Sequence, residues 1–264
     1  LIGTASAAET GLLKRVRALT HVDDRARALA YRQLLSGSLD SEMASNDPYA
    51  RMLFYTLWPN GGGYSDYAQG WQALAENGQA REELRIVVDL AFDATRHLAR
   101  PDDGVIDGLP MAVHGSYQRE EILAALGHAS LNRPPSQFRE GVLKTEVSGH
   151  PVDAFFVTLN KSDADFSPST MYRDYPISPT LFHWESQSTT SVASPTGQRY
   201  LNGDSTVVLF VRREQSNEFG TAPYVYLGPA AYVSHTGDRP IAITWRLRHR
   251  MPGDMFSSIA LAVG

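Results

Sequence analysis

The stretch STVVLFVRREQSNEFGTAPYVYLGPAAYVSHTGDRPIAITWRLR, Ser205 to Arg248, carries three apolar runs, STVVLFVRR, YVYLGPAAYVS and IAITWRLR, each bounded by Gly, Pro, Asp or Ser. Runs of this length, rich in Val, Ile, Tyr and Phe, read as β-strands. Upstream, DAFFVTL, TMYRDYPI and TLFHWES repeat the pattern, which makes six strands beyond Pro135 with no helix between most of them. An antiparallel or mixed barrel is expected there rather than a doubly wound sheet.

The first hundred residues read differently. Apolar residues recur at helical spacing in THVDDRARALAYRQLL, with Thr20 as N-cap, in DPYARMLFYTLW, with Asp47 as cap and Pro48 at the first helical position, in SDYAQGWQALAENG and in QAREELRIVVDLAFDATRHLAR. Proline is tolerated at that first position because the N–H it lacks has no partner there. Pro59 and Gly61–Gly63 end the second of these helices, and the glycines lack the lysine and strand that a phosphate loop needs. The run PDDGVIDGLP, Pro101 to Pro110, marks a change of pattern, so residues 1–108 are expected as a helical connector and 109–264 as a β-rich domain. The fold class is α+β. In the helix SYQREEILAALG, Ser116 stands three residues from Arg119 and four from Glu120, which gives no capping box in that register.

The chain has 264 residues, 42% of them hydrophobic, and can bury a sizeable core. With no cysteine, disulfides, thiolate nucleophiles and cysteine-built zinc sites are excluded. No run of 18 apolar residues and no signal peptide is seen, so a soluble, cytoplasmic protein is expected, without membrane partners. The first residue, Leu1, points to a fragment of a longer polypeptide. A net charge of −5 disfavours non-specific binding to DNA, although residues 1–109 hold 11 basic and 15 acidic residues and the remainder is nearly balanced.

Three segments carry candidate chemistry. On the strand TLFHWES, alternation places His183 and Glu185 on one side and Phe182 and Trp184 on the other. With Asp165, the first pair forms a candidate acid/base set for a metal-dependent nuclease or base-processing enzyme, but any amphipathic strand produces the same pairing, and the ordinary solvated or hydrogen-bonded strand face is the leading reading. Glu185 to Arg199 is rich in Ser, Thr and Gln between Trp184 and Tyr200, which suits reading a base edge, and is also what a long connection held by side-chain turns looks like. In TWRLRHR, Arg246, Arg248 and Arg250 alternate with Trp245, Leu247 and His249, as a phosphate track or as a solvated edge strand. No cofactor, metal site or catalytic residue is assigned.

The run HPVDAFFVTLNKSDADFSPSTMYRDYPISPTLFHWESQSTTSVASPTGQRYL, with APYVYLGPAAYVSHTGDRPIAITWRL, resembles the C-terminal domain, formerly of unknown function, of SauUSI-like helicase-type, modification-dependent restriction endonucleases. The similarity covers about residues 109–247, and YARMLFYTLW resembles the connector that precedes the domain. The resemblance implies a phage-defence restriction system whose nuclease and ATP-dependent helicase domains belong to the same polypeptide. This chain would then be its target-recognition module, sensing 5-methylcytosine or 5-hydroxymethylcytosine in double-stranded DNA, with no enzymatic activity of its own. A barrel related to base-flipping readers of methylated DNA, a homodimer, and a protein-docking module of the helicase are further readings.

On that reading Trp184, Tyr172 and Tyr175 are the stacking candidates, and Gln187, Ser188, Thr189, Thr190 and Gln198 the polar contacts to the base. Asn160, Lys161, Arg199, Arg246 and Arg248 are the candidates for the DNA backbone. One buried methyl contributes about 0.8 kcal/mol, roughly fourfold in affinity. Stacking contributes about 1–3 kcal/mol but does not sense the methyl. Discrimination therefore needs edge hydrogen bonds beside a shaped wall.

Overall fold

Asp24, Asp47 and Asp66 each start a helix by accepting a hydrogen bond from the backbone N–H three residues on, at Arg27, Ala50 and Gln69. The computed structural model describes residues 7–37, 47–95, 99–101, 104–159 and 174–260. Asn160, Lys161, Asp165 and Tyr172 lie outside the described residues. Two compact units interleave along the chain. One comprises Leu1–Pro101, Leu109–Arg139 and Glu218–Pro223, and the other Asp102–Gly108, Glu140–Asn217 and Tyr224–Gly264.

The first unit is helical: α1 Ala7–Leu13, α2 Arg25–Ser36, α3 Pro48–Leu57, α4 Tyr67–Glu76, α5 Gly78–Asp93 and α6 Arg119–Ala125. Asp24, not Thr20, caps α2, because Val16–Leu19 close into a 3-10 turn that ends on Thr20. The α6 cap likewise sits two residues later than Ser116. Gln118 is the N-cap, and its N–H donates to Glu121 Oε2 at 2.7 Å, the reciprocal half of a capping box.

Glu121 also joins α6 to α2. The Arg27 guanidinium, fully buried, donates to Glu121 Oε1 at 3.1 Å, Ser116 O at 2.7 Å and Asp23 Oδ1 at 3.3 Å, pairs with Asp24 at 2.9 Å, and lies 4.1 Å over the Tyr117 ring. His21 and the Tyr31 hydroxyl complete the Glu121 carboxylate. Burial pushes this carboxyl up, but Arg27 and His21 outweigh it and hold it at about 2. A charge this deep is tolerated because both oxygens of the Glu121 carboxylate accept from donors, Oε1 from Arg27 and Tyr31 and Oε2 from the Gln118 N–H and His21.

The second unit is a mixed sheet of seven strands among the described residues: β1 Val142–Val147, β2 His150–Thr158, β3 Tyr175–Ser178, β4 Leu181–Glu185, β5 Thr206–Arg212, β6 Tyr224–Thr236 and β7 Ala242–Leu247. Their spatial order is β1-β2-β5-β6-β7-β4-β3. β2 and β5 run parallel and the other neighbours antiparallel. The expected barrel is not closed, because β1 and β3 end the sheet without pairing to each other. Helices α7 Pro195–Asn202 and α8 Gly253–Ala260 complete the core instead: Tyr200, Met255 and Ile259 pack with Phe155, Phe182, Trp184, Ile243 and Trp245. Side chains from helices thus cover apolar area that a closed barrel would bury with its own strands.

Two irregularities bend the long strand β6, at Tyr226/Gly228 against β5 and at Tyr232/Ser234 against β7. Bulges of this kind add local twist. Among the described residues no helix is long and apolar enough to cross a membrane.

Candidate nucleic-acid interface

In β4, burial alternates as strand geometry requires, with Phe182 and Trp184 in the core and Leu181, His183 and Glu185 on the opposite face. The register then fixes which residues share that outer face. Thr244 stands opposite His183, which stands opposite Tyr175, and Ser234 follows Thr244 on β6. Glu185, Ala242 and Thr236 form the next row, and Leu181, Arg246 and Ala231 the row on the other side. Tyr175 and His183 stack, with ring centroids 4.5 Å apart and planes inclined by 11°. Arg246, Ser234 and Thr236 are exposed, as are the bulge-associated apolar side chains Ile177 and Val233.

This face combines an aromatic–imidazole platform, a line of hydroxyls and a guanidinium. Arg246 does not lie on an edge strand, since β7 is paired on both sides. Arg248 and Arg250 are exposed beyond the end of β7, and the Arg248 N–H donates to Pro229 O at 2.9 Å.

At the end of β4 the polar stretch forms an ordered corner. Ser186 and Ile241 exchange two hydrogen bonds, at 3.0 and 2.9 Å. The turn Gln187–Thr190 closes by Thr190 N–H to Gln187 O at 2.9 Å, and Asp238 accepts from Val192 N–H at 2.6 Å. Ser194 caps α7 through Gly197 N–H at 3.1 Å, with Pro195 in the first turn. Gly197 has no substitute, because a Cβ there would stand 2.1 Å from Ser191 O. Gln187, Ser188 and Thr189 are exposed at the tip, whereas Thr190 and Ser191 are buried.

Several sequence candidates have structural partners. Trp184 is 6% exposed, stacks on Phe155 at 4.1 Å and meets the Tyr200 ring edge-on at 5.6 Å. Arg199 Nε donates to the buried Asp153 carboxylate at 2.7 Å, and Gln198 Nε2 to Val192 O at 2.8 Å. Tyr175, the tip Gln187–Thr189 and Arg246 are therefore the candidates that meet solvent on or beside one face. Ser234, Thr236 and Thr244 join this face without a sequence assignment, although Tyr232, Ser234 and Thr236 alternate in YVSHT and Thr244 and Arg246 alternate with Ile243 and Trp245 in AITWR. Among the described residues no cluster of three His, Asp or Glu side chains suited to a metal ion is present. His183 and Glu185 share a face as alternation dictates.

Residues 111–259, more than half of the chain, match the family described as Domain of unknown function (DUF3427). The chain belongs to that family. No curated protein matches the sequence. Among solved structures, the DUF3427 chain is similar to the DNA recognition domain of the cytosine modification-dependent restriction endonuclease LpnPI, with 7% identity, a TM-score of 0.33, and coverage of 51% of this chain and 72% of that one. It is similar also to Arabidopsis thaliana SUVH6 in complex with SAM, with 12% identity, a TM-score of 0.34, and coverage of 94% of this chain and 40% of that one. Similarity this distant leaves the site to be argued from the residues of the DUF3427 chain itself.

Proposed function

We propose that this DUF3427 chain is the target-recognition module of a modification-dependent restriction system of the SauUSI-like type, and binds double-stranded DNA containing 5-methylcytosine or 5-hydroxymethylcytosine. The observation that carries the reading is the row Tyr175–His183–Thr244–Ser234, flanked by Arg246, on the sheet face that the core leaves open. A stacked ring pair offers a base a flat partner, hydroxyls donate and accept at its edge, and guanidinium groups contact phosphates. Ile177 and Val233 supply exposed apolar surface of the kind a methyl group needs. The tip Gln187–Thr189 contributes further polar contacts, and Asn160, Lys161 and Arg248 contacts to the backbone.

The module assigns no chemistry to itself. Cleavage and ATP hydrolysis belong to nuclease and helicase domains of the same polypeptide, to which the module delivers bound DNA. Within the segment 109–264 the sheet does the reading, and the helical unit, which includes 109–139, serves as connector.

Hydrogen exchange on the chain with and without a 5-methylcytosine duplex tests the location. Slowed exchange is expected across Tyr175–Glu185, Gln187–Thr189, Ala231–Thr236 and Ala242–Arg246. Slowing confined to the helical unit, or none under saturating DNA, would overturn the assignment.

A further inference from the structure

The helical unit holds a cavity of about 310 Å3, lined by Leu12 of α1, Arg15, Leu57 at the end of α3, Trp58, Asn60, Tyr64 and neighbouring atoms of Gly11, Pro59 and Ala73. Its aromatic wall is built, not incidental. Trp58 and Tyr64 meet edge to face at 5.3 Å, and the loop between them folds back only because Gly62 lacks a side chain. At Gly62 φ is +67°, and a Cβ would stand 2.5 Å from the Tyr64 ring and 3.0 Å from Trp58. A turn that merely ended α3 would not need so close an approach.

The polar groups at this cavity are donors. Arg15 gives Nε and Nη2 to Thr56 O, at 2.9 and 2.6 Å, which covers a carbonyl at the end of α3 and fixes the guanidinium in place. That leaves the Nη1 side of the group for a ligand; burial lowers the Arg15 pKa, and the charge of Glu120 offsets part of that effect. Asn60 Oδ1 accepts from Gly62 N–H at 3.2 Å, so its amide nitrogen remains the donating end. The glycine loop offers no nest for a phosphate, because the N–H groups of Gly61, Gly62 and Tyr64 are turned to Trp58 O, Asn60 Oδ1 and Gly61 O. One guanidinium, one amide and an apolar, aromatic chamber suit a single negative charge on a flat body.

We infer that this cavity binds an aromatic carboxylate, with the carboxylate on Arg15 and the ring between Leu12 and the Trp58–Tyr64 wall. The site lies within the helical unit and does not depend on the DNA-binding reading. Its ligand is either a free aromatic acid or the C-terminal residue of a peptide, which share this chemistry.

The test follows the Trp58 indole N–H resonance, assigned with Trp58→Phe, while the whole chain is titrated with indole-3-acetate, with neutral indole-3-acetamide, and with Gly-Gly-Phe as free acid and as amide. A saturable shift with the acids and at least tenfold weaker response to the amides is expected. Indole-3-acetate binding better assigns the free acid as source, and Gly-Gly-Phe binding better assigns the peptide terminus. Ala73→Leu, which adds bulk to the cavity lining and leaves the Arg15 side chain in the protein, should abolish the shift while thermal unfolding shows the protein still folded. No saturable shift up to millimolar ligand, equal response to acid and amide, or unchanged binding in a folded Ala73→Leu protein would overturn the inference.

Discussion

Tyr175 stacks on His183 across the β3–β4 pair, on the open face of the sheet, while the next large ring along β4, Trp184, stacks on Phe155 inside the core. Two aromatic pairs one residue apart thus serve different ends. Tyr175→Ala should weaken binding to modified DNA by about 1–3 kcal/mol, the worth of a stacking partner, and lower stability by no more than about 1.5 kcal/mol. Trp184→Ala should cost about 3–5 kcal/mol of stability as a large-to-small core change. Urea unfolding beside fluorescence anisotropy separates the two, and a Trp184→Ala protein of unchanged stability would contradict the core assignment.

Arg246 is exposed on a strand paired along both sides. Arg246→Gln should change stability by no more than about 0.5 kcal/mol. If its guanidinium meets a phosphate, affinity should fall alike for modified and unmodified duplex, and the slope of log K against log salt should shrink by about one. An unchanged slope would remove Arg246 from the contact.

The corner after β4 depends on contact between Gly197 and Ser191 O. Gly197→Ala forces one of them to move and should cost about 1–3 kcal/mol, with weakened DNA binding because the tip Gln187–Thr189 loses its fixed position. A Gly197→Ala chain equal to the parent in thermal unfolding and in binding would show that the corner is not held in this way.

Glu121, held at about 2 against Arg27 and His21, makes a signed prediction. A carboxyl lowered in the folded state adds stability that is complete above its ordinary value of about 4.3 and is lost as pH falls from there through about 2. Urea midpoints between pH 6 and pH 2.5 should fall for the parent and more shallowly for Glu121→Gln. Glu121→Ala, which leaves Arg27 buried without this partner, should cost about 3–5 kcal/mol at pH 7.

Much of the fold was legible because single elements obey local rules. Asp47–Pro48 marked α3, and the alternating run Leu181–Glu185 marked β4 together with the faces of His183 and Trp184. The same alternation placed Trp184 beside Phe182, whose apolar character already marked the core side, and reading Trp184 as a ligand surface set its chemistry above its periodicity. The α7 helix was hidden because SPTGQRYLN has a single large buried apolar residue, Tyr200, although Ser194–Pro195 is the same kind of start signal as Asp47–Pro48. Barrel closure depends on strand order and the Tyr175–His183 stack on the register of a hairpin, and neither leaves a local periodicity to read. The ion pair between Arg27 and Glu121 is hidden for a further reason, since its partners stand 94 positions apart in the sequence.

The central claim is that the open face reads modified cytosine, and the ratio of affinities for a duplex carrying 5-methylcytosine and the identical unmodified duplex tests it most directly, measured at several salt concentrations. The parent chain should bind the modified duplex more tightly at every salt concentration, with the preference kept in Arg246→Gln and in Tyr175→Ala, which weakens both duplexes alike because stacking does not sense the methyl. Equal affinity of the parent chain for both duplexes throughout would contradict the claim.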